Sequence, residues 1–216
     1  MPDFRLNLKR LIERPERYFP RNEIVSRQDD GSLFRYTYRE YCARVRRLAS
    51  ALGRLGLQPG ERVATLSWNT HQHLELYFAV PCSGRVLHTA NLRLSDEHLA
   101  YSMNHAEDVA VFFSPDLLGQ LETIAPLLKH VRAYVMLAEL VPTDSTLSPL
   151  YAYEDLIAGG DPGFEHPEIN EHAPASICFT SATAASWHAV YRNAGMISLA
   201  NWSMVSSASR IGCTAT

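Results

Sequence analysis

Between Thr37 and Leu137, short apolar runs alternate with longer amphipathic stretches. Strands separated by helices cannot fold back on each other as hairpins, so this alternation predicts parallel pairing through crossover helices. The clearest helix covers Thr37 to Leu55: Thr37 and Glu40 form a capping box, Val45, Leu48, Leu52 and Leu55 share one face, and Gly56 stops the helix. Pro59-Gly60 turns the chain into a strand at Arg62 to Ser67, and Asn69 or Thr70 caps a second helix reaching about Val80. Val86 to Thr89 is a strand, and Ser95 caps a helix with Asp96 and Glu97 in its first turn, where carboxylates favour the positive end of the dipole. Val109 to Ser114 is a buried strand, Pro115 opens a helix to about His130, and Ala133 to Leu137 is the next strand. Residues 141–172 carry prolines, Gly159-Gly160 and acids, and read as a surface excursion with one short helix at Tyr153 to Ile157. The chain returns to a strand at Ser176 to Phe179. The expected fold is α/β: a partial doubly wound parallel sheet with crossover helices, followed by an irregular C-terminal tail.

Charge and cysteine usage narrow the function. A formal charge of −3 argues against a nucleic-acid binder, which needs a basic face to displace counterions from phosphates. Arg44, Arg46 and Arg47 cluster, but on an amphipathic helix, where a solvated face is the plain reading. Cys42, Cys82, Cys178 and Cys213 are far apart and form no C-x-x-C pair, so they read as free thiols in a reducing compartment. The N-terminal stretch is interrupted by charges and prolines, and no apolar run is long enough to span a bilayer, so a cytoplasmic location is expected. His71 and His73 stand two apart and point to different helix faces, while His98 and His105 lack a third ligand, so all read as structural or solvated rather than metal-binding.

The stretch ICFTSATAASWHAV, residues 177–190, carries the chemistry. Loops at the carboxyl ends of parallel strands present backbone N–H groups to anions, and Thr180, Ser181 and Thr183 stand where such a loop begins. Against a phosphate site, Ala182, Ala184 and Ala185 cannot take left-handed backbone as cheaply as glycine, so an ordinary Ser/Thr loop competes with that reading. A hydrolase nucleophile at Ser181 is disfavoured, because a nucleophile elbow needs small residues two positions either side and here Phe179 and Thr183 occupy them.

The run HTANLRLSDEHLAYSMNHAED, residues 88–108, together with the segments from Tyr36 to Phe113 in their order and spacing, resembles the AMP-forming acyl-CoA synthetases, and within them the fatty-acyl-CoA ligases. The resemblance covers about residues 15–181. It implies the adenylate-forming fold and a ligase that uses ATP, Mg2+ and coenzyme A on a carboxylic acid. The family's phosphate loop reads Thr-Ser-Gly-Thr-Thr-Gly-x-Pro-Lys. Here Thr180, Ser181 and Thr183 keep the type, while Ala182, Ala184, Ala185, Trp187 and His188 replace both glycines, the second threonine, the proline and the lysine.

Composition changes at the same point. Every acidic residue and both lysines precede Ala182; residues 182–216 carry only Arg192 and Arg210, where about seven charges are expected at the chain's own 20% charged content. The expected organisation is therefore residues 1–181 as the N-terminal part of an AMP-binding domain and 182–216 as a divergent tail, disordered or produced by a shifted reading frame. The implied polypeptide is an inactive fragment that binds none of its cofactors productively. The alternative is a non-catalytic α/β module that binds a nucleotide or a partner.

Overall fold

A computed structural model of the chain describes residues 7–28, 30–180 and 188–193. The N-terminus opens with α1 (Leu8–Tyr18), capped by the Asn7 side chain accepting from the Lys9 amide at 3.1 Å. A two-stranded antiparallel hairpin follows, β1 (Glu23–Arg27) with β2 (Leu33–Thr37), in a register that sets Glu23 opposite Thr37. Thr37 ends β2 and also caps α2 (Tyr38–Arg54): its hydroxyl accepts from the Glu40 amide, and the Glu40 carboxylate accepts from the Thr37 amide at 2.7 Å. Such a cap contributes about 1 kcal/mol and forces the chain to turn from strand to helix within one residue.

The main sheet is built by β3 (Arg62–Leu66), β4 (Val86–Thr89), β5 (Asp108–Phe113), β6 (Ala133–Met136), β7 (Leu150–Ala152), β8 (Pro174–Thr180) and β9 (His188–Asn193), in the spatial order β7-β6-β5-β3-β4-β8-β9. β7 through β8 run parallel and β9 is antiparallel to β8. The first two crossovers are α3 (His71–Cys82), capped by Thr70, and α4 (Asp96–Ala106), capped by Ser95.

Alternate residues of each strand face opposite layers. Val63, Leu87, Phe112 and Val135 pack against α1, α2, α3 and α6 (Tyr153–Ala158). Ala64, Leu66, Val111, Phe113 and Met136 pack on the other side against α4 and α5 (Leu118–Ile124). The expected doubly wound α/β layer is therefore present.

Four expectations change. The helix foreseen from Pro115 to His130 is a 3₁₀ turn at Pro115–Leu117, α5, and a second 3₁₀ turn at Ala125–Leu127; Pro126 has no amide to continue the α-helical ladder. The excursion at 141–172 is more than surface chain, because it contributes edge strand β7, α6 with Tyr153 fully buried, and the buried Gly160. A Cβ on Gly160 would collide with the Arg47 carbonyl of α2, which explains the glycine there. The arginine cluster on α2 is not a solvated face: Arg46 forms a two-pronged pair with Glu16 of α1 at 2.6 and 2.8 Å, and Arg44 pairs with Glu154 and Glu75. In the tail expected to be irregular, His188–Asn193 form strand β9; residues 181–187 and 194–216 lie outside the described residues.

Candidate functional site

The carboxyl ends of the parallel strands converge on one rim of the sheet. The chain leaves β3 for α3 on one face and β5 for α5 on the other, so the loops after these neighbouring strands part at a switch in topology, where open α/β sheets hold ligands. The rim is held here by a knot of polar groups. The buried Ser114 hydroxyl donates to the Ser67 hydroxyl at 3.1 Å, Ser67 donates to the Trp68 carbonyl at 2.9 Å, and the Trp68 indole N–H donates to Asp116 at 2.8 Å. Beneath the knot, the His73 ring lies between the Trp68 carbonyl at 3.0 Å and the Thr65 hydroxyl at 3.1 Å, and burial lowers its pKa to about 4. His71 stacks on Phe34 at 4.1 Å, and burial again lowers its pKa to about 4. Both histidines are buried structural groups that burial keeps neutral at pH 7.

β8 brings the candidate phosphate loop to this rim. Thr180 is its last residue and pairs with His188 of β9, so the two ends of the loop are held side by side. Of the three candidate binding residues, the structure places the Thr180 backbone; Ser181 and Thr183 lie outside the described residues. Beside β8 lies a pair that sequence reasoning missed. His88 Nδ1 of β4 stands 2.6 Å from Asp108 Oδ2 of β5, across the intervening β3, and neither side chain is more than 1% exposed. Burial raises the Asp108 pKa, an effect the neighbouring His88 opposes. A polar residue inside the apolar run VLHT and another opening DVAVFF were the signals available in the sequence.

A second buried network lies on the far side of the sheet. Glu75 of α3 is wholly buried, where it accepts from Arg44 at 2.7 Å and from the Tyr153 hydroxyl at 2.7 Å. Burial raises the Glu75 pKa, against the Arg44 hydrogen bond and charge. The arrangement is structural, tying α2, α3 and α6 together. The thiols of Cys42 and Cys82 are free and buried, and burial pushes both up to about 12, so neither is a nucleophile at neutral pH. Among the described residues no three His, Cys, Asp or Glu side chains converge to hold a metal ion, and no helix is long and apolar enough to cross a membrane.

Comparison with known proteins gives this rim a family. The model of the family described as AMP-binding enzyme matches residues 12–203, a span that runs past Ser181 and includes β9. The chain is 42% identical over 184 residues to a long-chain-fatty-acid–CoA ligase of Thermus thermophilus, covering 85% of this chain and 32% of that protein. It is 41% identical over 177 residues to a medium-chain-fatty-acid–CoA ligase of Ectopseudomonas oleovorans, covering 82% of this chain and 32% of that protein. It thus spans about a third of the length of these relatives. Among solved structures, an anthranilate CoA ligase in complex with anthranoyl-AMP superposes with a TM-score of 0.79 at 16% identity, over 93% of this chain and 36% of that one, a likeness of fold. With the sheet order, the position of β8 and these matches together, the chain belongs to the AMP-binding enzyme family, among relatives that are acyl-CoA ligases.

Proposed function

We propose that the chain is the N-terminal part of a cytoplasmic ligase that activates a fatty or other medium- to long-chain carboxylic acid. A free carboxylate is a poor electrophile, so it first attacks the α-phosphate of ATP, which enters with Mg2+; pyrophosphate leaves and an acyl adenylate forms. The thiol of coenzyme A then attacks the acyl carbon and AMP departs. The observation supporting this reading is the placement of β8, which delivers Thr180 to the carboxyl rim of the sheet, at the start of a loop whose first residues match the family's phosphate loop. The chain's part in the chemistry is to hold phosphate oxygens there, with backbone amides and the hydroxyls of Thr180, Ser181 and Thr183.

As it stands, the chain performs this step poorly. Ala182 and Ala185 occupy the positions of the family's glycines, and a Cβ disfavours the left-handed backbone that a phosphate nest uses by about 1 kcal/mol or more each. His188 stands in place of a lysine that carries a fixed positive charge. The proposed boundary at 181/182 is consistent with a change of reading frame, and translating the other frames of the gene beyond codon 181 tests that origin: a frame that resumes the glycine-rich loop supports it, and its absence removes it.

The purified chain, incubated with ATP, Mg2+, coenzyme A and octanoate or palmitate, is expected to form no acyl thioester above background; measurable formation overturns the proposed inactivity. In calorimetric titrations with AMP, the Ala182→Gly/Ala185→Gly/His188→Lys variant is expected to bind at least tenfold more tightly than the parent chain. Equal affinity, or binding of coenzyme A without any nucleotide, points instead to a non-catalytic α/β module.

A further inference from the structure

The β8–β9 hairpin is tied to the rest of the sheet by unusually little backbone. β8 registers with β4 only at Leu87–Ser176 and His88–Ile177 among the described residues. Cys178, Phe179 and Thr180 pair instead with Val190, Ala189 and His188, that is, with the hairpin's own second strand. The half of β8 that leads into the phosphate loop therefore has no ladder to the sheet, and something else must fix where it points.

The Phe179 side chain supplies the contact. Its ring meets the His88 ring edge-on, with centroids 5.1 Å apart, and the His105 ring at 5.8 Å, and it packs against the small cluster of Val86, Ala106 and Ile177. Both imidazoles are themselves held. His105 of α4 stacks on Tyr101, 5.7 Å away and 10° from parallel. His88 has its ring rotation set by the 2.6 Å bond to Asp108, and the other carboxyl oxygen of Asp108 is buried without any partner, so His88 is the side chain this carboxyl bonds. Asp108 in turn follows Glu107, which sits in the left-handed region at φ 54° as the C-cap of α4. Arg62 secures that junction by donating to the Ala106 carbonyl at 2.7 Å and pairing with Glu107.

We infer that His88, Asp108 and His105 are positioning residues which seat the β8–β9 hairpin through Phe179, and so fix where the candidate phosphate loop leaves the sheet. The use of that loop for a nucleotide is the reading proposed above; the seating of the hairpin stands on geometry alone. An edge-on aromatic contact is worth a factor of about three to ten in a local opening equilibrium.

Hydrogen exchange on the 216-residue chain tests the inference. Removing His88 strands a buried carboxyl and can unfold the domain, so the variants of choice are Phe179→Leu, at a half-buried position, and Asp108→Asn, which keeps the shape of the pair. Phe179→Leu is expected to speed exchange of the amides at 178–180 and 188–193 by about threefold to tenfold relative to those of β3 and β5, with the melting temperature nearly unchanged. Asp108→Asn should move the same amides in the same direction, and Phe179→Tyr, which restores the ring, should return them to the parental rates. Hairpin amides that keep parental rates in Phe179→Leu, that change only in step with the whole sheet, or that are already unprotected in the parent overturn the inference. AMP titrations of the Ala182→Gly/Ala185→Gly/His188→Lys variant separate the two proposals: an exchange effect in Phe179→Leu with no gain of AMP affinity in the restored loop sinks the ligase reading and leaves the seating intact, whereas a gain of AMP affinity without the exchange effect does the reverse.

Discussion

The centre of the sheet and its β8 end are held by different means. β3 is laddered on both sides, to β4 from Arg62–Val86 to Thr65–Thr89 and to β5 from Arg62–Asp108 to Leu66–Phe113, and its neighbour β5 buries Phe112 and Phe113 completely. β8 registers with β4 at two residues, and its leading end is held by side chains, among them the Phe179 ring against His88. The difference teaches that two ends of one sheet can be held with different stiffness, because backbone ladders resist motion more evenly than single side-chain contacts.

The strongest test of the rigid side is Arg44→Ala. It leaves the buried Glu75 carboxylate with only the Tyr153 hydroxyl, and about 3–5 kcal/mol of stability is expected to go in urea denaturation. The loss should shrink as pH falls from neutrality into the acid range. Burial has already raised the Glu75 pKa above its ordinary value, so the native state binds the proton more readily than the unfolded chain, and stability drops as pH rises through the window between the two. A loss below 1 kcal/mol, or one independent of pH, would show that this network is not what holds α2, α3 and α6 together.

Gly160→Ala should follow, at about 1–3 kcal/mol, because a Cβ there meets the backbone of Arg47 rather than a flexible side chain. A neutral result would mean that the segment after α6 moves as freely as an ordinary loop. The His73 effect is smaller at neutral pH and grows with acid. Its folded pKa of about 4 lies below the unfolded value of about 6.5, so stability present above pH 6.5 is lost as pH falls towards 4, at about 1.4 kcal/mol per unit for this site. His73→Gln should flatten the acid limb of the stability curve by that slope; an unchanged slope would place the acid sensitivity elsewhere.

What could be read from the sequence was what local chemistry decides. Thr37 with Glu40, Thr70 and Ser95 each cap a helix through a partner within three residues, so their helices were visible, as were strands whose apolar runs are continuous. β7 was invisible because three residues, Leu150, Tyr151 and Ala152, make no pattern, and the β1–β2 hairpin and α1 also passed unread. Arg44 looked solvated because helical periodicity reports the face a residue occupies, and its partner Glu154 is 110 residues away. His88 and Asp108 were missed for the same reason: β3 lies between their strands, and only the sheet order brings them together. Of the candidate site, the residue types Thr180, Ser181 and Thr183 were legible, whereas the seating of their hairpin depends on His88 and His105, drawn from two other elements.

The double-pronged pair between Arg44 and Glu154 also sets a clock. A ribosome adds about 5–20 residues per second, so roughly 5–20 s separate the appearance of Arg44 from that of the carboxylate that completes its pairing. During that interval α2 and α3 can already pack, but their shared Glu75 has only one of its two final donors, since Tyr153 arrives with Glu154. The early helices thus wait in a provisional embrace, and residues 153 and 154 act as the late latch that makes the first half of the domain permanent.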